Sequence, residues 1–127
     1  MAAPMRTVLV IVADPGLCLA VRRLVERAGA TALCAAAGEA ALAHALPGGV
    51  DLILLDHPTP GADGLDALAA LRRDARTRSA AVVFCTPVRD VDLHRRAADL
   101  GAIAVVDAAD LDPDRVRAWL EPVPPAA

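Results

Sequence analysis

Three residues in this chain carry chemistry at telling places. Asp14, Asp56 and Thr86 each end a short apolar run, and a proline follows within two residues of each. Two carboxylates, with a loop carbonyl and water, suit a hard divalent cation such as Mg²⁺, which prefers oxygen ligands. A carboxylate at Asp56 can also act as a nucleophile toward phosphorus, with a metal offsetting charge on the attacked group. A hydroxyl at Thr86 can hydrogen-bond a phosphoryl oxygen. The competing explanation is local: Asp14 and Asp56 cap the helices that follow them, as Asp often does.

The elements that must position these residues follow from hydrophobic pattern. Val50 to Gly64, VDLILLDHPTPGADG, is an apolar run that stops on Asp56 and then breaks into prolines and glycines, as a strand covered on both faces requires. A carboxylate is costly to bury unpaired, so one at the mouth of a buried strand is either a solvated end or a site. Thr7 to Ala13 is a second β-branched run. Asp14 then stands in a capping position before Pro15, and Leu17, Val21, Leu24, Val25 and Ala28 recur at helical spacing up to Gly29. Residues 30–37 predict a weak strand and 38–46 a short Ala-rich helix closed by Pro47-Gly48-Gly49. After Asp56, a helix is expected from about Asp63 to Asp74, a strand from Ala80 to Thr86 and a helix from about Arg89 to Leu100. A fifth strand runs from Ala102 to Val106, and Asp112-Pro113 opens a last helix carrying Val116, Trp119 and Leu120.

Strands alternating with helices five times predict an α/β domain with a parallel sheet and helices on both faces. The simplest architecture is the flavodoxin-like (βα)5 doubly wound sheet of order 2-1-3-4-5. There, strands one and three are neighbours, and ligands bind outside the carboxyl ends of the strands at the switch point. Asp14 and Asp56 close those two strands and Thr86 closes the next. Three adjacent strand ends therefore present carboxylate, carboxylate and hydroxyl at one edge.

Composition narrows the class. The 127 residues allow one domain, expected over 6–120, with a disordered leader at 1–5 and a linker or disordered tail at 121–127. The chain is 56% hydrophobic with one Phe, one Trp and no Tyr, so its core is built from Ala, Leu and Val. A net charge of -3 gives no general reason to expect nucleic acid or an anionic membrane as a direct partner. Cys18, Cys34 and Cys85 have no CxxC spacing and read as free, reduced thiols. The start lacks an apolar signal region and no stretch approaches the ~18 apolar residues of a membrane span, so a soluble, cytoplasmic protein is expected. All thirteen basic residues are arginines; the sequence has no lysine.

From about Arg6 to Leu120 the chain resembles the receiver domain of bacterial two-component response regulators. VLVIVADP, DLILLDHPTPGADGLDAL, the strand ending in Thr86 and GAIAVV carry the resemblance. Its most specific part is the acid Asp56 after a hydrophobic strand, with Pro60 four residues on and Gly64 eight on. The resemblance implies Asp56 as phosphoacceptor, Thr86 as switch hydroxyl, and Asp14, Asp56 and the carbonyl of Pro58 as ligands of Mg²⁺. It also implies a sensor kinase or other signalling protein as partner, and an interaction face made by the helix near 89–100, the fifth strand and the last helix. A homodimer through that face is a further expectation, as is an output domain beyond Pro122 to Pro125. No enzymatic activity of its own, no direct contact with nucleic acid and no membrane association are expected.

The departures from the family pattern matter as much. Receivers carry two adjacent acids after the first strand; here the first is Ala13. They carry Lys-Pro after the fifth strand; here the chain reads Asp107-Ala108-Ala109. A lysine gives phosphoryl oxygens a compact charge that an arginine fork does not reproduce. Arg89 is the one nearby candidate by chain position. Pro58 and Pro87 lack the amide hydrogens that family members aim at the phosphoryl group. One lost donor to a developing anion costs about 3 kcal/mol, or ~10² to 10³ in rate, and such losses are not additive. The aromatic residue usual in the fifth strand is replaced by Val105.

The leading expectation is an atypical receiver acting by docking, with weak or no phosphorylation and weakly held Mg²⁺. The alternatives are a conventional Mg²⁺-dependent receiver phosphorylated on Asp56, and a small-molecule-binding domain on the same fold. A haloacid-dehalogenase phosphatase needs an acid where Pro58 stands, cobalamin binders need Asp-x-His-x-x-Gly, and flavodoxins need a Ser/Thr-rich phosphate loop; none of these is present. His57 reads as a solvent-facing rim residue or a pH-sensitive or metal-facing group. His44 and His94 read as solvated, and Cys85 as an inert core thiol. Arg72, Arg73, Arg76 and Arg78 read as a solvated face. Trp119 packs at the sheet edge or faces a partner.

Overall fold

In a computed structural model, residues 6–35, 49–57, 64–75 and 77–121 are described. The apolar runs form five strands: β1 (Thr7–Ile11), β2 (Thr31–Ala35), β3 (Leu52–Asp56), β4 (Ala81–Cys85) and β5 (Ala102–Val106). They pair in parallel in the order β2-β1-β3-β4-β5, the order expected from the sequence. The described helices are α1 (Pro15–Arg27), α2 (Gly64–Arg73), α3 (Val91–Asp99) and α4 (Pro113–Leu120), with a 3-10 turn at Ala108–Asp110. The helix expected over 38–46, the leader 1–5, Arg76 and residues 122–127 of the expected tail lie outside the described residues.

Successive strand residues point to opposite faces, so each strand feeds two cores. Leu9, Ile53, Leu55, Val82 and Phe84 face Leu68 and Leu71 of α2 and Ala97 of α3. Val8, Val10, Leu52, Leu54 and Val83 face Val21 and Val25 of α1 and Val116 of α4. Full burial of each such side chain contributes about 1.5–3 kcal/mol, so the two cores together hold the sheet flat against its helices. Trp119 is half-buried and joins the second core, which settles its packing against α4's own sheet face.

Helix starts follow the Asp signals. Asp14, Asp90 and Asp112 each stand as the N-cap of a helix, and their carboxylates accept bonds from the amides of Leu17, Asp92 and Arg115 at 2.8, 2.8 and 2.7 Å. Such caps typically contribute ~1 kcal/mol. The helix expected from Arg89 thus begins at Val91, because Asp90 fixes its start. Gly29 and Gly101, just past α1 and α3, take positive φ of 88° and 99°, the backbone that ends a helix without a Cβ penalty. Between β4 and β5 the register slips, Val82 pairing with Ala102 and Val83 with Ala104. Ile103 is the extra residue of that bulge and is 54% exposed.

Two of the expected solvated groups are engaged. Arg72 donates to the Ala80 carbonyl at 2.7 Å, tying α2 to the entry of β4. His94 is half-buried, and its Nε2 meets the Val88 carbonyl at 2.9 Å, so that nitrogen carries the proton.

Candidate functional site

Register places the candidate residues along one rim. Ile11 pairs with Leu55, Asp56 with Cys85, and Cys85 with Val106, so Asp56, Thr86 and Asp107 lie at successive strand ends, with Asp14 three residues past β1. Asp56 is the last residue of β3 and is half-buried, while Asp14 is exposed. Asp14 performs the capping role that its position before Pro15 suggested. Asp56 caps nothing among the described residues, since the next described helix starts eight residues later.

Burial pushes the Asp56 carboxyl above its usual value of 3.8; His57 pulls it partly back, and the charges of Asp107 and Asp14 push it up again. The rim is therefore an acidic hollow in which two neighbouring carboxylates oppose the ionisation of Asp56. Asp107 is half-buried, and its carboxylate accepts from the Ala109 amide at 3.0 Å. It stands directly after β5.

Thr86 is 3% exposed, and its amide donates to the Val106 carbonyl at 2.8 Å. Its hydroxyl oxygen accepts from the Val88 amide at 3.1 Å, which folds the Pro87-Val88 turn back over it. Arg89 is exposed and lines a cavity of about 530 Å³ beside Thr86, together with His94, Val105, Asp107 and Arg115.

His57 departs from the expectation of a solvent-facing residue. It is 4% exposed, its ring stacks on Phe84 with centroids 5.3 Å apart, and its amide donates to the Cys85 carbonyl at 2.7 Å. Its Nδ1 is buried without a hydrogen-bond partner among the described residues. The same ring explains Gly64: a Cβ there would stand 2.3 Å from His57 Nδ1. The glycine eight residues after Asp56 is thus a packing requirement set by the residue next to the acid.

Mg²⁺ would bind at this rim through the oxygen donors present. The ion favours a near-octahedral set of oxygens from one or two carboxylates, water and phosphate. Asp14 Oδ2 is already engaged by the Leu17 amide, Ala13 supplies no oxygen from its side chain, and the expected Pro58 carbonyl lies outside the described residues. Among the described residues no group of three or more His, Cys, Asp or Glu is placed to hold a metal. The described carboxylates that would hold the ion are Asp56 and the Asp14 oxygen not engaged by Leu17.

Sequence reasoning identified Asp14, Asp56 and Thr86, and the rim brings them to one edge. It read the segment Asp107-Ala108-Ala109 as lacking the Lys-Pro pair and missed that Asp107 acts on Asp56 with its own charge. The signal was there, because residues that directly follow neighbouring parallel strands share an edge. His57 offered no comparable signal; a histidine between an acid and a proline says nothing about which way its ring turns.

The model of the response regulator receiver domain family matches residues 8–117. Solved structures share the fold. A response regulator from Thermotoga maritima superposes with a TM-score of 0.78 at 20% identity, covering 92% of this chain and 98% of its own. A response regulator protein from Burkholderia multivorans gives 0.70 at 26% identity, covering 95% and 99%. A sensor protein from Polaromonas gives 0.76 at 23%, covering 92% and 94%. No curated protein sequence matches the chain. No described helix is long and apolar enough to cross a membrane. With the sheet order, the rim acid at the end of β3 and a family match over most of its length, the chain belongs to the response regulator receiver domains.

Proposed function

We propose that this receiver works by docking to a sensor kinase or another signalling protein, with weak or no phosphorylation of Asp56. The observation that carries this reading is the Asp107 carboxylate at the rim, adding negative charge to Asp56 where a phosphoryl group needs a cation. A transferred phosphoryl group brings further negative charge, and electrostatic stabilisation at such sites is usually the largest contribution to rate. The missing amide of Pro87 and the alanine at position 13 act in the same direction. Mg²⁺ is then held weakly, and the domain acts as a signalling partner rather than an enzyme.

The docking face is the one made by α3, β5 and α4, and two of the three exposed large apolar residues of the described chain support it. Val91 on α3 is 74% exposed and Ile103 on β5 is 54% exposed, on the side completed by α4. This face serves a partner or a second copy of the chain, and an output domain would follow the last proline-rich residues. A second reading, the conventional phosphoacceptor, is favoured by the position of Asp56 at the mouth of β3 with Thr86 on the adjoining strand.

The test is incubation with Mg²⁺ and acetyl phosphate or beryllofluoride, followed by intact mass and a two-dimensional amide spectrum. Little or no adduct is expected on the native chain, and Asp107→Lys should raise the yield by about tenfold or more, on the scale of one restored electrostatic contact. A stable stoichiometric adduct on the native chain, lost in Asp56→Ala, overturns the docking reading in favour of the conventional one.

A further inference from the structure

The strongest unassigned pairing of reactive groups lies away from the rim, between α1 and the edge strand β2. Cys18 is on α1 and Cys34 on β2, sixteen residues apart in sequence. Both are half-buried and pack on the same sheet face, the one lined by Val8, Val10, Val21 and Val25. Cys34 Sγ lies 4.0 Å from the Cys18 carbonyl oxygen. The two side chains also meet, since a side-chain hydrogen bond with Cys18 is among the causes that raise the Cys34 thiol. The third thiol, Cys85, is 3% exposed on β4, three strands from Cys34, or roughly 14 Å at ordinary strand spacing.

We propose that Cys18 and Cys34 are a redox modification site, joined by a reversible intrachain disulfide. The two S–H bonds break and one S–S bond forms. The two electrons and two protons pass to hydrogen peroxide, whose O–O bond breaks and which leaves as two molecules of water. The reaction proceeds through a sulfenic acid on one sulfur, which the other thiol displaces with loss of water. Burial and the neighbouring Cys18 push the Cys34 thiol up to about 11, so thiolate is scarce near neutrality and the reaction accelerates as pH rises. Cys85 is pushed up to about 12 by burial first and by the charges of Asp56 and Asp107, and it stays out of the exchange. Cys18 sits in the first turn of α1, its amide bonded to the carbonyl of Asp14 at 2.9 Å. The disulfide therefore ties the helix start at the acidic rim to the edge of the sheet. This inference is independent of how Asp56 is used.

The folded full chain is treated with hydrogen peroxide, quenched, unfolded and alkylated with a maleimide. The expected product has lost the mass of two hydrogens, takes up one maleimide where the three cysteines of the reduced chain take up three, and yields a Cys18–Cys34 cross-linked peptide. Dithiothreitol restores three, Cys18→Ser and Cys34→Ser each abolish the cross-link, and the oxidised chain melts several degrees higher because a loop of the unfolded state is closed. Uptake of three maleimides after treatment, stable oxygen adducts without a cross-link, or a cross-link through Cys85 each overturn the proposal.

Discussion

Leu9, Ile53 and Phe84 in the middle of the sheet are fully enclosed, whereas Asp14, Asp90 and Asp107 beyond the strand ends are exposed or half-exposed and are held by local bonds to following amides. The contrast explains how a receiver fold can be kept while residues at its rim change. An interior residue answers to neighbours on several elements at once, so a change is felt across the core. A rim acid that caps the next turn answers mainly to its own loop. An acid at position 107 costs little structurally because its carboxylate anchors the 3-10 turn. Asp56 is the exception: it lies at the rim but is half-buried, and it has no capping role among the described residues.

The largest test of this contrast is in the interior. Phe84→Ala should cost about 3–5 kcal/mol, read from urea unfolding, because it removes a fully buried ring that also supports His57. A cost below 1 kcal/mol would mean that the core repacks freely and the contrast fails.

An intermediate effect is expected where interior and rim meet. Gly64→Ala should cost about 1–3 kcal/mol, since the added methyl collides with a ring locked against Phe84. His57→Ala in the same chain should recover most of the loss, and a double-mutant cycle measures the coupling. Additive costs in that cycle would mean that His57 is not what holds position 64 to glycine.

The smallest effect concerns Asp56 itself, and its sign is diagnostic. Because its folded-state pKa is raised, the native state holds the proton more tightly than the unfolded chain does. Ionisation therefore costs stability, and that cost grows as pH rises from 3.8 through the raised value. Asp56→Asn should raise the melting temperature at neutral pH by on the order of a few degrees, with the difference fading toward acid. A melting temperature lowered at neutral pH by Asp56→Asn would show that the carboxylate is stabilised at the rim.

Strand count, sheet order and the two-faced core were legible in the sequence because they rest on local signals. Apolar runs of five residues, Asp-Pro helix starts and terminal glycines each act through their nearest neighbours and agree with one another. The rim location of Asp14, Asp56 and Thr86 followed from chain order alone, since a parallel doubly wound sheet sends every strand's carboxyl end to one side. Three things only the tertiary structure decided. His57 turns into the core and makes Gly64 obligatory; Asp107 lends its charge to Asp56; Cys18 and Cys34 meet between helix and edge strand. Each depends on side-chain direction and through-space distance between segments, and neither composition nor periodicity encodes those quantities until the helices are packed on the sheet.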